Sequence, residues 1–378
     1  MTPGAGGVAT RWRRLNGEGR VQGVDLARGL AVIGMLAAHL LTIEQSLEWL
    51  DPNTWIAVVN GRSSILFATL AGVSIALVTG GAVPLRGERL RVGMMRLVVR
   101  AFALWMLGVF LIFAGAPVFV ILPAYALMFL IAVAFVPLRA RTLAILAAVI
   151  AVVMPFVQVW LDDLSFWATP AGHDLALLIG WHYPFTTWIA FVFAGMALGR
   201  ADVRRLRTQI GMLVVGATLC GIGALLAAWT APSPAVSSQG AWGSPSYLEQ
   251  VFSAEPHSTG LWEAIGSGGF ALAVIGACLL LCRTIVSMPL FPLRALGAMP
   301  LTAYTAQIVA WAIAATAVLG APGDLMAFRA TEPFWAFTLI TIAACTAWAL
   351  LVGRGPLEWA LDRLSRFVVR SGPGVRAG

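Results

Sequence analysis

Three ionisable residues, Asp25, Arg28 and His39, lie inside one long apolar run near the start of the chain. Charge is costly in hydrocarbon, so residues of this kind inside a membrane helix are functional candidates by default. At about 100° per residue, Arg28 falls about 60° from Asp25 and His39 about 20° from Arg28, so the three share one helical face. Asp25 and Arg28 are spaced to pair at i,i+3, and His39 sits about 16 Å further along the axis than Arg28. An imidazole titrates near neutral pH, so His39 could act as a general base or as a nucleophile. Arg28 could hold an anionic or carbonyl oxygen, with Asp25 orienting it. The structural alternative is an interfacial Asp25–Arg28 pair, with Arg28 snorkelling to headgroups and His39 bonded to a backbone carbonyl.

Other polar residues are secondary candidates. Arg62, in Asn60-Gly61-Arg62-Ser63-Ser64, opens an apolar run from an otherwise acidic side, which calls for a partner such as Glu44 or an anionic ligand. Thr302, Tyr304, Thr305 and Gln307 fall within about two helical turns, where they either join helices or line a polar cavity. His173, His182 and His257 lie in or beside loops and read as solvated. Cys220, Cys278, Cys282 and Cys345 all sit in apolar runs with no neighbouring His or acid, so neither a metal site nor a disulfide is expected. No HExxH motif, phosphate-binding glycine loop or GxSxG elbow occurs, which removes the usual supports for metalloprotease, ATP-driven and serine-hydrolase chemistry.

The elements that must carry these residues are membrane helices. Of 378 residues, 60% are hydrophobic and 11% charged, and the mean hydropathy is +0.86. A soluble chain could not cover such a core with polar surface. Apolar runs recur at 23–43, 62–80, 93–114, 117–136, 142–161, 184–200, 210–230, 264–282, 298–319 and 334–353. Each is close to the length needed to cross a ~30 Å core. The expected fold is therefore all-α: a polytopic transmembrane bundle of about ten helices.

All basic residues are Arg, and those of the loops fall in alternate loops, around residues 11–20, 86–100, 139–141, 200–207, 283–294 and 354–376, with only Arg62 and Arg329 breaking the sign. The intervening loops hold Glu48, Asp51, Asp162, Asp163, Glu249, Glu255, Glu263 and Asp324. The positive-inside rule then puts the N- and C-termini in the cytoplasm of a multi-pass protein of the inner cell membrane. The same pattern accounts for the net charge of +8, and nucleic acid is excluded as a partner. Trp49, Trp55, Trp160, Trp167, Trp181, Trp188, Trp229, Trp242 and Trp262 are placed as an outer aromatic belt. Gly266, Gly268 and Gly269 suit close helix packing or a broken helix. The first run ends in His39-Leu40-Leu41 with no small-residue cleavage site, so it is a retained helix and not a signal peptide.

The stretch from Arg20 through Asp25, Arg28, Gly29, Gly34 and Met35 to His39 resembles the first helix of the YeiB-like integral membrane family. That family is similar to the catalytic domain of heparan-α-glucosaminide N-acetyltransferase. Arg28, ten residues and then His39 also resembles the Arg-x10-His pattern of transmembrane acyltransferases. Further matching stretches are Asn60–Ser74, Ile121–Tyr125, Tyr183–Arg200, Leu301–Gln307 and Gly353–Trp359.

The resemblance implies a pore that takes acyl-coenzyme A (acetyl-coenzyme A) as co-substrate from the cytoplasmic side, with no metal. Asp25, Arg28 and His39 become the catalytic candidates, and Arg28, Arg62, Tyr304 and Gln307 the candidates for binding the coenzyme. The acceptor would be an extracytoplasmic glycan or a lipid-linked group. Membrane lipid is the surrounding partner, and a homodimer is compatible with this reading. The chain divides into a basic segment 1–20, an acyltransferase-like region 21–230, an outer loop 231–263 suited to a lid or acceptor-facing role, a YeiB-like region 264–360 and a basic tail 361–378. The competing expectation is a secondary transporter or flippase for a small metabolite or lipid; no inverted repeat supports it. A purely structural scaffold is the third, and it leaves the buried charges without use.

Overall fold

A computed structural model describes residues 7–17, 19–43, 47–48, 50–115, 118–230, 247–321, 323 and 325–370. Helix starts follow local chemistry. Proline occupies the first turn of the helices beginning at Leu122, Pro170, Phe291, Pro300 and Pro356, where its missing N–H leaves no bond unmade. In chain order the helices are α1 Val8–Asn16, α2 Gln22–Leu40, α3 Arg62–Val78, α4 Gly87–Phe113, α5 Leu122–Phe135 and α6 Ala140–Asp162. They continue with α7 Pro170–Ile179, α8 Phe185–Arg200, α9 Leu206–Thr230, α10 Tyr247–Val251 and α11 Leu261–Leu281. The last are α12 Phe291–Gly297, α13 Pro300–Leu319, α14 Leu325–Arg329, α15 Phe334–Leu351 and α16 Pro356–Val368. No strand forms among the described residues.

Seven helices (α2, α4, α6, α9, α11, α13 and α15) are long and apolar enough to cross a membrane, and the chain is a multi-pass helical bundle. An eighth candidate joins the 3-10 turn Pro52–Val59 to α3 across a 44° bend. Helices α5 and α8 are apolar but shorter, at 14 and 16 residues, which gives rises of only about 21 and 24 Å. Every predicted apolar run falls on one of these helices, most to within about a turn. The largest shifts are at α4, which starts at Gly87 and carries Arg89 and Arg91 into its first turns, and at α5, whose start is set by Pro123.

Helix α2 is the most enclosed of the spans, wrapped by α3, α11 and α12. Small residues make these contacts possible. A Cβ at Gly297 would meet the Asp25 carbonyl oxygen at 1.7 Å, and one at Gly29 the Leu293 carbonyl oxygen at 2.2 Å, so α12 lies backbone-to-backbone on α2. The α3–α8 contact is made the same way at Gly195, whose added Cβ would lie 1.8 Å from the Thr69 carbonyl oxygen. Gly266 and Gly269 pack onto α9 at Gly223 and Cys220 within an unbroken α11, which selects close packing over a broken helix. Outward faces carry Phe102, Phe110, Val152, Leu225, Trp335 and Leu339 toward lipid.

Arginines at one end of the bundle satisfy orphan carbonyls. Arg200, 5% exposed, donates to the carbonyl oxygens of Ala76, Gly81 and Val136 at 2.9, 2.7 and 2.8 Å and to Thr79 Oγ1 at 2.8 Å. Gly81 follows α3 and Val136 ends α5, where carbonyls lack intrahelical partners, while the Ala76 carbonyl also accepts from the Gly81 N–H at 2.8 Å. Glu358 of α16 does the converse for α13, accepting from the backbone N–H groups of Leu301 and Thr302 at 2.8 and 3.2 Å. Helix α16 is amphipathic, with Trp359, Leu364 and Phe367 exposed. The predicted outer-belt residues Trp49 and Trp242, the acids Glu44 and Asp324, and the loop 231–246 lie outside the described residues, as does the tail beyond Arg370.

Candidate functional site

The i,i+3 pair forms as spaced: Arg28 Nη1 donates to Asp25 Oδ1 at 3.2 Å. Asp25 is 4% exposed and also takes the guanidinium of Arg20, from Nε and from Nη2. Arg28 Nη2 reaches across to α3 and donates to Ser74 Oγ at 2.6 Å. The result is a linear Arg20–Asp25–Arg28–Ser74 network within α2 and α3. Arg20 and Ser74 were not foreseen as members, since one precedes the helix and the other is distant in sequence.

His39 lies at the other end of α2. It borders a narrow cavity with Met35, Gly61, Ser63, Ser64, Tyr183, His257 and Tyr304. About 20 Å³ of the cavity is open to the centre of a water molecule, room for one water. Its walls come from α2, α3, α5, α13 and the loops entering α8 and α11. The Trp311 ring of α13 stands 6.0 Å from the imidazole, and the Trp311 indole nitrogen is buried without a hydrogen-bond partner. Helix α2 ends here because Arg329 closes it, donating to the carbonyl oxygens of His39 at 2.7 Å and Ala38 at 3.1 Å. A cation at a helix C-terminus is favoured by the dipole, which explains one of the two arginines that break the loop-charge pattern.

The second exception, Arg62, opens α3 beside Gly61. Gly61 has φ +66°, and a Cβ there would crowd Pro256 at 3.2 Å and Glu263 Oε1 at 3.1 Å. Glu263, 3% exposed, lies within Coulombic reach of Arg62. The proposed partner Glu44 is outside the described residues.

Glu263 was not foreseen as a site residue, and it organises the loop before α11. Its carboxylate accepts from the backbone N–H of His257 at 2.7 Å, the backbone N–H of Thr259 at 2.8 Å and Ser258 Oγ at 3.4 Å. His257 and Thr259 have φ +64° and +56°, a conformation that costs a non-glycine residue about 1–2 kcal/mol. The carboxylate holds the loop in this form and thereby sets His257 into the cavity wall. A signal was present: Gly260 caps α11, so Glu263 stands at the third helical position, where an acid reaches back to loop N–H groups.

His257 is therefore no solvated loop residue. Its ring packs 5.4 Å from Tyr183 and 5.2 Å from His182, and stacks parallel to Trp188 at 6.2 Å. Burial, assisted by His182 and His39, holds its imidazole down to about 4. His182 is exposed and stacks on Phe119 at 3.9 Å. Trp188, expected in the aromatic belt, is 1% exposed and backs the His257 ring.

Of the residues singled out from sequence, His39 and Tyr304 line the cavity together. The Tyr304 hydroxyl accepts from the Ile121 N–H at 3.3 Å. Arg62 adjoins the cavity through its neighbours Gly61 and Ser63. Gln307 does not line it, and its amide donates to Thr341 Oγ1 at 3.5 Å. Asp25 and Arg28 lie about 21 and 16 Å down the α2 axis from His39.

Near that lower end is an open cleft of about 460 Å³ bordered by Asn16, Arg20, Gln22, Arg204, Gln209 and Arg283. The cleft and the His39 cavity share no lining residue. Among the described residues, no group of three or more His, Cys, Asp or Glu side chains is placed to hold a metal ion.

Residues 208–367 match a family described as a protein of unknown function (DUF418), which is YeiB-like. No curated protein and no solved structure matches the chain. Residues 20–228, which contribute Asp25, Arg28, His39, Ser63, Ser64 and Tyr183, match the catalytic region of heparan-alpha-glucosaminide N-acetyltransferase. More than half of the chain is covered by that match, so the protein belongs to this membrane acetyltransferase family.

Proposed function

We propose that the protein transfers an acetyl or other acyl group from acyl-coenzyme A, taken from the cytoplasm, to a hydroxyl or amine of an extracytoplasmic glycan or lipid-linked acceptor. The observation that carries this reading is the orientation of His39. It faces inward onto a cavity shared with Tyr304, Tyr183, His257 and two serines, and not outward to lipid. An acyl thioester supplies an activated carbonyl carbon. His39 is placed to take a proton from the attacking group or to carry the acyl group itself.

The basic cleft supports entry of the coenzyme from the opposite end. Arg20, Arg204 and Arg283 border it, and guanidinium groups suit phosphate oxygens. Cleft and cavity are separated by about 18 Å along α2, counted from Gly23 to Met35. Arg28 and Asp25 lie between the two, where Arg28 would contact a passing pantetheine arm. Room for a single water at His39 means that the helices part when the thioester arrives.

The alternation of arginine along the sequence supports cytoplasmic termini, passage of α5 and α8 with the longer helices to give ten spans, and an inner cell membrane location.

The test uses full-length protein in lipid nanodiscs with radiolabelled acetyl-coenzyme A and glucosamine as acceptor. His39→Ala is expected to bind acetyl-coenzyme A within threefold of the parent and to lose transfer by about 100-fold or more. Absence of acetyl-coenzyme A binding by the parent protein, or full transfer by the variant, refutes the proposal. Solute uptake into vesicles without acetyl transfer would identify a transporter instead.

A further inference from the structure

The proposed reaction leaves one buried nucleophilic group unused. His257 borders the same cavity as His39, and its Nδ1 is buried with no hydrogen-bond partner. A buried polar atom left unpaired costs about 1–3 kcal/mol, and the backbone that places it there is itself strained, with left-handed φ at His257 and Thr259. Strain held in place by surrounding contacts is concentrated at functional sites. Here a single carboxylate, Glu263, supplies those contacts through three hydrogen bonds. The loop enters from the end of the bundle opposite the basic cleft, which is the acceptor's side in the reading above.

We propose that His257 is the acceptor-side base of the site and that Glu263 is the positioning residue that sets it there. This rests on the acyl-transfer reading and deepens it. It also assigns half of the active site to chain beyond residues 20–228, the part matched to the acetyltransferase catalytic region.

The acceptor O–H or N–H donates to Nδ1 of His257. As the acceptor oxygen or nitrogen bonds to the acyl carbon, its proton passes to Nδ1. The bond from that carbon to sulfur breaks, and the electron pair leaves on sulfur. The imidazolium then gives the proton to the thiolate, so the products are an ester or amide and the free coenzyme thiol, and the imidazole is neutral again. With His257 taking this proton, His39, across the cavity, no longer serves as the base and is left to orient the thioester carbonyl through its ring N–H. Burial keeps His257 unprotonated at neutral pH, the form that can accept a proton, and the low basicity that burial also gives it makes its imidazolium a strong acid toward the leaving thiolate. The groups facing it are His39, His182, Tyr183 and Trp188, with Glu263 and Arg62 behind its loop.

The experiment uses full-length protein in nanodiscs, acetyl-coenzyme A as donor and glucosamine as acceptor probe. His257→Gln is expected to leave the KM for acetyl-coenzyme A within twofold and to lower kcat by about 100-fold or more. Millimolar imidazole should restore part of the activity of His257→Ala, an effect that a structural role would not give. Glu263→Gln keeps an oxygen acceptor for the loop and should lower kcat by about tenfold with KM for acetyl-coenzyme A unchanged. A His257→Gln enzyme that keeps more than a third of the parent kcat overturns the proposal. If that variant does not fold, an unchanged kcat in Glu263→Gln overturns it equally. Parent protein that neither binds nor turns over acetyl-coenzyme A overturns the acyl-transfer reading and this inference with it, whereas an active parent with an indifferent His257→Gln overturns this inference alone.

Discussion

Replacing Glu263 with Ala should release the loop that carries His257 while leaving the bundle intact. The carboxylate accepts two short backbone bonds, at 2.7 and 2.8 Å, and a long one from Ser258 Oγ at 3.4 Å. Leaving a buried donor without its acceptor costs about 1–3 kcal/mol, so the two short bonds contribute about 2–6 kcal/mol. Opposing them are two left-handed non-glycine residues at about 1–2 kcal/mol each. The carboxylate thus offsets the strain, and without it the loop keeps only the packing of the His257 ring on Tyr183, His182 and Trp188 and the local bond from the Ser258 N–H to the Glu255 carbonyl.

At about 1.4 kcal/mol per tenfold, exchange protection of the His257 and Thr259 amides should fall by about 30- to 10,000-fold. Hydrogen–deuterium exchange read by mass spectrometry on the 253–263 segment measures this, with the amides of α11 as internal control. Their ladder begins with Ala264 N–H on the Gly260 carbonyl and does not involve the carboxylate. Protection unchanged within threefold at His257 and Thr259 refutes the argument that Glu263 fixes the loop.

Three further outcomes follow from the same geometry. Arg200→Met leaves the carbonyls of Gly81 and Val136 without their Arg200 donor and should lower stability by about 2–5 kcal/mol, seen as a reduced Tm in detergent. Gly195→Ala drives a methyl against the Thr69 carbonyl oxygen, 1.8 Å from the ideal Cβ position, and should cost at least about 1–3 kcal/mol in the same assay. The third concerns pH: the His257 imidazole is held at about 4 in the closed loop against 6.5 when free. In a Glu263→Gln background, where no carboxyl group titrates against the loop, closure is therefore unaffected above pH 6.5, weakens by about 3 kcal/mol as pH falls from 6.5 to 4, and levels off below. Amide exchange at Thr259, corrected for the intrinsic pH dependence, reports it, and protection that rises on acidification would refute the sign.

The bundle was legible because composition and run length are direct consequences of the lipid solvent. Asp25 and Arg28 were legible because i,i+3 spacing is a local property, and their pairing needs nothing beyond α2. The contact between His39 and Tyr304 was half legible: each was marked as polar in an apolar run, but only the packing of α13 near α2 makes them neighbours. Arg62 and Arg329 announced themselves by breaking the loop-charge pattern, and both proved to serve the His39 end of the bundle. His257 was misread because its burial depends on left-handed backbone at two non-glycine residues, which no propensity suggests, and on aromatic walls some seventy positions earlier. Glu263 looked like one more outer-loop acid, although its place at the third position of a glycine-capped helix was the clue.

The match to the acetyltransferase catalytic region ends at residue 228, yet the packing does not divide there. Helix α2, which carries Asp25, Arg28 and His39, is enclosed on one side by α11 and α12. Gly23 touches the backbone at Leu279, and Gly29 and Gly297 bring α12 onto α2. Its C-terminal carbonyls are closed by Arg329, and the cavity it borders is completed by His257 and Tyr304. A chain cut after residue 230 would keep every matched catalytic residue and lose all of these contacts. It would also expose to lipid the buried polar network of Asp25 and the glycine face of α2, which hydrocarbon cannot satisfy. Such a fragment should fail to accumulate in the membrane or to transfer acetyl groups, and co-expression of residues 231–378 should restore both. A fragment that is stable and fully active by itself would show that the second half of the chain only decorates the site, against the packing that places two of its side chains on the wall facing His39.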